Sequence, residues 1–172
     1  VEFADIQFSG RSLLLSLLIF IMVSLNEEIF MRGYILNNLM TTLNKYLSLI
    51  ITALIFTLFH GMNLNLSVIG LVNLFLAGII LGSTYIYTQN LWFPISLHLF
   101  WNYFQGPVLG FNVSGMSFES LFTLSLKGSD LMNGGKFGFE GSVMCTVLLV
   151  IGIAAIMYFY TQKQHKSNAV AN

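Results

Sequence analysis

Residues 13–25 read LLLSLLIFIMVSL, and no charge interrupts the run until Glu27 and Glu28 close it. A bilayer core of about 30 Å takes roughly 20 apolar residues per helix, so this segment, counted from Ser12, predicts a membrane span that ends in acid. An amphipathic continuation through Arg32 and Tyr34 to about Leu43 follows it. Working outward, the same pattern predicts four more spans, at about 46–61, 66–88, 91–106 and 141–160. Residues 46–118 contain no Asp, Glu, Lys or Arg at all. The chain has 172 residues, 56% apolar and 8% charged, against about 25% charged in an ordinary soluble domain. A water-facing surface cannot be covered with that composition.

The expectation is an all-α, polytopic transmembrane helix bundle of about five spans, forming one membrane-embedded domain over residues 1–172 of a multi-pass protein of the cell membrane. The chain starts at Val1 rather than Met, which fits a sequence trimmed upstream. Ala77, Gly78, Gly82 and Ser83 in the third span permit close helix approach. Trp92 and Trp101 stand near the two ends of the fourth, where interfacial anchoring and core packing are both open readings. Between the fourth and fifth spans lies a glycine-rich stretch with aromatics every few positions. It predicts a long ordered loop capping one face of the bundle. Loop cations divide as Arg11, Lys127 and Lys136 on one side and Lys45, Lys163 and Lys166 on the other, a tie that leaves orientation open. Zero net charge without a basic stripe excludes nucleic acid as a partner. Nothing in the pattern sets an oligomeric state. The single cysteine, Cys145, excludes a disulfide framework and reads as a packing residue.

Titratable groups in or beside spans are costly, so they mark function or paired structure. In Glu27-Glu28-Ile29-Phe30-Met31-Arg32, helical spacing puts Glu28 and Arg32 one turn apart, able to pair, while Glu27 points about 100° away. The plainer reading makes the acidic pair the solvated end of a span. His60 closes an apolar helix and shares a face with Phe56; alone, such a histidine is as a rule a packing residue. His98 and Asn102 share one face within a span, either as converging hydrogen-bond donors or as polar glue between helices. Glu140, in GGKFGFEGS, reads as an acidic neighbour of the last helix's N-terminus and ranks below the others. No GxSxG elbow, Ser-Lys setting or HExxH is present.

EExxxR at 27–32, FxxxH at 56–60 and HxxxN at 98–102 occur in that order on successive hydrophobic segments. Their conjunction resembles the CAAX protease and bacteriocin-processing family, intramembrane endopeptidases related to the type II CAAX prenyl endopeptidase. The GxxVSG and GGxFGxEGS segments, at 110–115 and 134–142, resemble the bacterial branch. The resemblance implies a peptide or protein substrate at the membrane, hydrolysed by water that Glu27 activates as general base. His60 helps to hold that water, and His98 with Asn102 forms the oxyanion hole. Glu28 and Arg32 support the site or contact substrate.

That chemistry is sound, because peptide hydrolysis needs a base and donors aimed at the developing oxyanion. No cofactor is favoured. Zinc on His60, His98 and Glu27 is the alternative, a His₂Glu set with an open water position. Against it stand Asn102, a poor zinc ligand, and the lack of an evident carboxylate partner for each histidine. Two further functions compete: a non-catalytic scaffold or bacteriocin-immunity protein of the same fold, and a proton-coupled transporter. The second is weakened by the absence of a repeated half and of Gly/Pro-broken span pairs.

Overall fold

The computed structural model describes the backbone of residues 1–171 and the side chains of residues 1–163, so the tail residues His165 and Lys166 lie outside the side chains described. The chain runs β1 (Glu2–Ile6), α1 (Gly10–Glu28), a π-helical stretch (Ile29–Leu36), α2 (Asn37–Leu39), α3 (Lys45–Phe59), α4 (Val68–Thr88) and α5 (Trp92–Tyr103). A second π-helical stretch (Phe104–Val108) leads into β2 (Phe122–Ser125), α6 (Asp130–Asn133), two 3₁₀ turns (Gly135–Phe137 and Phe139–Gly141) and α7 (Val143–Ala171). The architecture is an all-α membrane bundle, and its exterior shows why. Leu14, Leu18, Met22, Ile50, Leu54, Val147 and Ile151 all face outward. Such an apolar exterior suits lipid rather than water.

Among the described residues three helical stretches are long and apolar enough to cross a bilayer, at Gly10–Leu39, Val68–Thr88 and Val143–Lys163. The other two predicted spans are shorter. α3 has 15 residues, about 22 Å at 1.5 Å per residue, and α5 has 12 before its π-helical extension. Three of the helices begin on local sequence chemistry. Ser9, Asn44 and Ser67 cap α1, α3 and α4 by accepting from backbone N–H groups three residues on. Gln89 closes α4 in the left-handed region at φ 53°.

α4 is the hub, packed against α3, α5 and α7. Its small residues do what the sequence implied. A Cβ on Gly78 would stand 2.9 Å from Ala53 Cα and Cβ, and one on Gly82 would collide with Leu49, so α3 and α4 touch nearly backbone to backbone. Asn73, in the same helix, is buried and fully engaged. Its Nδ2 donates to the carbonyls of Glu140 at 2.7 Å and Ser142 at 2.8 Å, and its Oδ1 accepts from Thr146 Oγ1 at 2.7 Å. One amide thus ties α4 to the end of the long loop and the start of α7.

The loop is ordered and caps one end of the bundle, with one addition to the helical expectation. β2 pairs antiparallel with β1, whose five residues are all exposed, so the start of the chain and the loop lie on one side. Arg11, Lys127 and Lys136 therefore share a side opposite Lys45 and Lys163. Trp92 is exposed at the beginning of α5, whereas Trp101 packs inward near Phe139.

The tight α3–α4 contact yields a stability test. Gly78→Val forces the two helices apart, and the protein should lose about 1–3 kcal/mol, the usual cost of overpacking. This is measurable as a lowered thermal unfolding midpoint in detergent. An unchanged midpoint would show that the helices do not approach as described.

Candidate active site

The three motifs, read from separate helices, meet around one cavity of about 740 Å³. Glu27 and Glu28 are the last two residues of α1 before the helix widens into its π-helical stretch. A π-type widening inside a helix is frequent at functional sites, because it re-aims side chains that a regular helix would hold in register. Glu28 and Arg32 turn away from the cavity and are fully buried. Arg32 Nη1 donates to Glu28 Oε1 at 2.8 Å, and Nη2 donates to the Gly78 carbonyl at 3.1 Å. Its guanidinium also lies 4.9 Å from the centre of the Phe56 ring. The pair predicted from spacing is therefore a buried strut between α1, α3 and α4, and neither member lines the cavity.

Glu28 has a second task. Its Oε1 also accepts from His98 Nδ1 at 2.8 Å. A carboxylate paired with arginine is acceptor-only, so Nδ1 must carry the proton and Nε2 must face the other way, toward the cavity. His60 is set by the same logic from a different partner. Its Nδ1 is 2.8 Å from the Phe56 carbonyl, which can only accept, so Nδ1 donates and Nε2 is left free. Both Nε2 atoms point at Glu27, with Oε2 at 3.7 Å from His60 and 4.0 Å from His98. These separations exceed a direct hydrogen bond and leave the three groups gathered but not bonded to one another. The Glu27 side chain is one third exposed to the cavity, while Oε2 itself is buried between the histidines without a hydrogen-bond partner.

Phe56 has a structural role in its motif. Its ring centre lies 4.4 Å from that of His60 and 6.3 Å from that of His98, beneath Arg32. It fills the space among three polar groups while its carbonyl orients one of them. Asn102, one turn beyond His98, is nearly buried and lines the same cavity. Among the described residues its side-chain amide has no hydrogen-bond partner.

Two expectations need correction. Glu28 is a carboxylate partner for His98, and the Phe56 carbonyl is the equivalent for His60, so the supporting groups that seemed missing for the histidines are both present. Glu140 is not a bystander at the start of α7. Ser142 does that work, its Oγ accepting from Cys145 N–H at 3.1 Å, while Glu140 lines the cavity. Asn73, which positions the Glu140 backbone, was not singled out from sequence. The available signal was an amide within an otherwise apolar span, which the cost of unsatisfied polar groups in hydrocarbon makes conspicuous. Cys145 is buried, as expected.

The model of the family described as type II CAAX prenyl endopeptidase Rce1-like matches residues 9–104. The chain belongs to this family. The matched region contains all three motifs and stops before the loop that carries Glu140, and the membership makes the chain a membrane protein of a protease family. No curated protein and no solved structure matches it.

The buried strut can be tested by a double-mutant cycle. Glu28→Leu or Arg32→Met alone strands an uncompensated charge and should cost about 3–5 kcal/mol, whereas the double variant should recover much of that loss. Unfolding midpoints in detergent measure it, and simple additivity of the two losses would reject the coupling.

Proposed function

We propose that this protein is an intramembrane endopeptidase, crossing the cell membrane several times, that hydrolyses a peptide bond in a membrane-associated peptide or protein by a metal-free mechanism. Glu27 is the general base. It draws a proton from a water held by its carboxylate on the cavity side and oriented by His60, and the resulting hydroxide attacks the scissile carbonyl. His98, protonated at both nitrogens, keeps Nδ1 on Glu28 and donates from Nε2 to the oxyanion. Asn102 donates from its amide. Glu27 then returns the proton to the departing amine. The observation that carries this reading is the convergence of two oriented histidines on one accessible carboxylate inside a largely apolar cavity. There, fixed donors act more strongly than in water.

A zinc-dependent form of the same hydrolysis has one specific observation in its favour. Both histidines hold Nδ1 on an acceptor and leave Nε2 free, as metal-bound imidazoles do. Among the described residues no three His, Cys, Asp or Glu side chains stand at metal-ligand spacing. Glu27, His60 and His98 are the residues that would hold the ion, which would supply a more acidic water. The metal-free form keeps a role for Asn102 and is preferred.

Substrates with bacteriocin-type leaders and prenylated CAAX-type peptides are the two classes to offer, tethered to liposomes. Glu27→Gln should lower cleavage by about 10²–10⁴-fold, the usual weight of a general base, with the unfolding midpoint preserved. Asn102→Ala should lower kcat by about 10²–10³-fold. Cleavage should persist under a strong chelator. Loss under chelation with recovery on adding zinc would select the metal form, and unchanged cellular function of Glu27→Gln would select a non-catalytic scaffold.

A further inference from the structure

The cavity wall carries one formal charge that the hydrolysis does not use. Glu140 sits in the 3₁₀ turn Phe139–Gly141, on the loop side opposite the helices that supply the motifs. Its position is over-determined. Asn73 holds its backbone carbonyl at 2.7 Å, and its Oε2 accepts from both the N–H of Ser114 at 2.8 Å and the Ser114 hydroxyl at 3.0 Å. Ser114 is itself held in the left-handed region, at φ 49°, in the turn closed by the Val113–Met116 bridge. Gly115 follows at φ 85°, packed on the Leu64 carbonyl where no side chain fits. A left-handed serine, a glycine that alone fits beside it and a buried asparagine thus fix one carboxyl group, and its Oε1 has no partner among the described residues.

The charges around it do not balance. Among the described residues no lysine or arginine lines the cavity, while Glu27 and Glu140 both do; His98, the one cation the hydrolysis calls for, stands 4.0 Å from Glu27, so the wall keeps one negative charge in excess. Arg32, on the bundle side, is consumed by Glu28 behind the wall. Among the described residues no cation stands within ion-pair distance of Glu140. A half-buried carboxylate with no cation in contact is costly unless something else supplies one. Burial pushes its carboxyl above the usual range, against the pull of the two Ser114 hydrogen bonds and of His60 and His98.

We propose that Glu140 is a specificity-determining residue whose carboxylate pairs with a cationic side chain, lysine or arginine, of the bound peptide. This rests on the endopeptidase reading for the reaction but not for the binding. The substrate enters an apolar chamber, its backbone is presented to Glu27, and a basic residue on the loop side supplies the charge that the wall lacks. Acidic residues are repelled at the same position.

Binding separates this claim from catalysis. The probes are lipid-anchored Ala/Leu peptides carrying one Lys, norleucine or Glu, with its position scanned, bound to the Glu27→Gln protein in liposomes and read by fluorescence. At one position the Lys peptide should bind about 10-fold or more tightly than norleucine, in line with a hydrogen bond to a charged group, and the Glu peptide more weakly still. Glu140→Gln should erase the preference with norleucine binding unchanged, and Glu140→Lys should invert it in favour of Glu. Equal binding of Lys and norleucine peptides at every position overturns the proposal without recourse to any Glu140 variant. So does a Glu140→Gln protein that keeps the preference, or one that weakens all peptides alike. If the Lys preference holds while the Glu27 protein cleaves none of the peptides, the protease reading falls and the role of Glu140 stands.

Discussion

One oxygen atom organises the site. Glu28 Oε1 accepts from Arg32 at 2.8 Å and from His98 at 2.8 Å, and Glu28 and Arg32 are fully buried in the bundle. Because arginine keeps that carboxylate ionised and acceptor-only, the imidazole of His98 has a single orientation available to it. Because Arg32 also holds the Gly78 carbonyl and covers Phe56, the same group fixes α1 against α4 and α3. The position of Glu27, one residue before Glu28, follows. It is carried to the cavity by the helix that its neighbour anchors.

The bilayer sets the second constraint. A polar site in hydrocarbon is tolerable only where protein surrounds it or water reaches it. Here α3 stops after 15 residues and His60 caps it, so the helix gives out at the level of the cavity. α4 approaches α3 closely enough at Gly78 and Gly82 to close the space behind the site. The loop supplies the remaining wall and is bound to the bundle through Asn73 and, at its edge, through the strand pair with β1. A shorter loop would leave the cavity open on the side where Ser114 and Glu140 stand.

Much of this was legible in the sequence because membrane helices declare themselves by hydropathy. The predicted 46–61 and 66–88 correspond to Lys45–Phe59 and Val68–Thr88, and the ordered triplet of motifs located the helices that converge. What stayed hidden depends on long-range partners. The pairing of Glu2–Ile6 with Phe122–Ser125 joins two short, half-polar segments far apart in the chain, and nothing local announces it. The π-helical widening at Ile29–Leu36 has no period of its own to read. The partners of His60 and His98 escaped for another reason. One is a backbone carbonyl, which is invisible in sequence, and the other, Glu28, was already allotted to Arg32, although a carboxylate oxygen accepts more than one hydrogen bond. Glu140 was misjudged from its place near a helix start, where an acidic residue ordinarily needs no further explanation.

The ordering of the histidines by Glu28 and Phe56 is the central claim, and ¹⁵N NMR of histidine-labelled protein in lipid nanodiscs tests it most directly. The sequence has three histidines, and substituting His165 leaves only the two in the cavity. The account predicts a proton on Nδ1 of both His60 and His98. A bare Nδ1 on His98, with its proton on Nε2, would contradict it, since Glu28 would then face a lone pair and could not hold the ring that the rest of the site is built around.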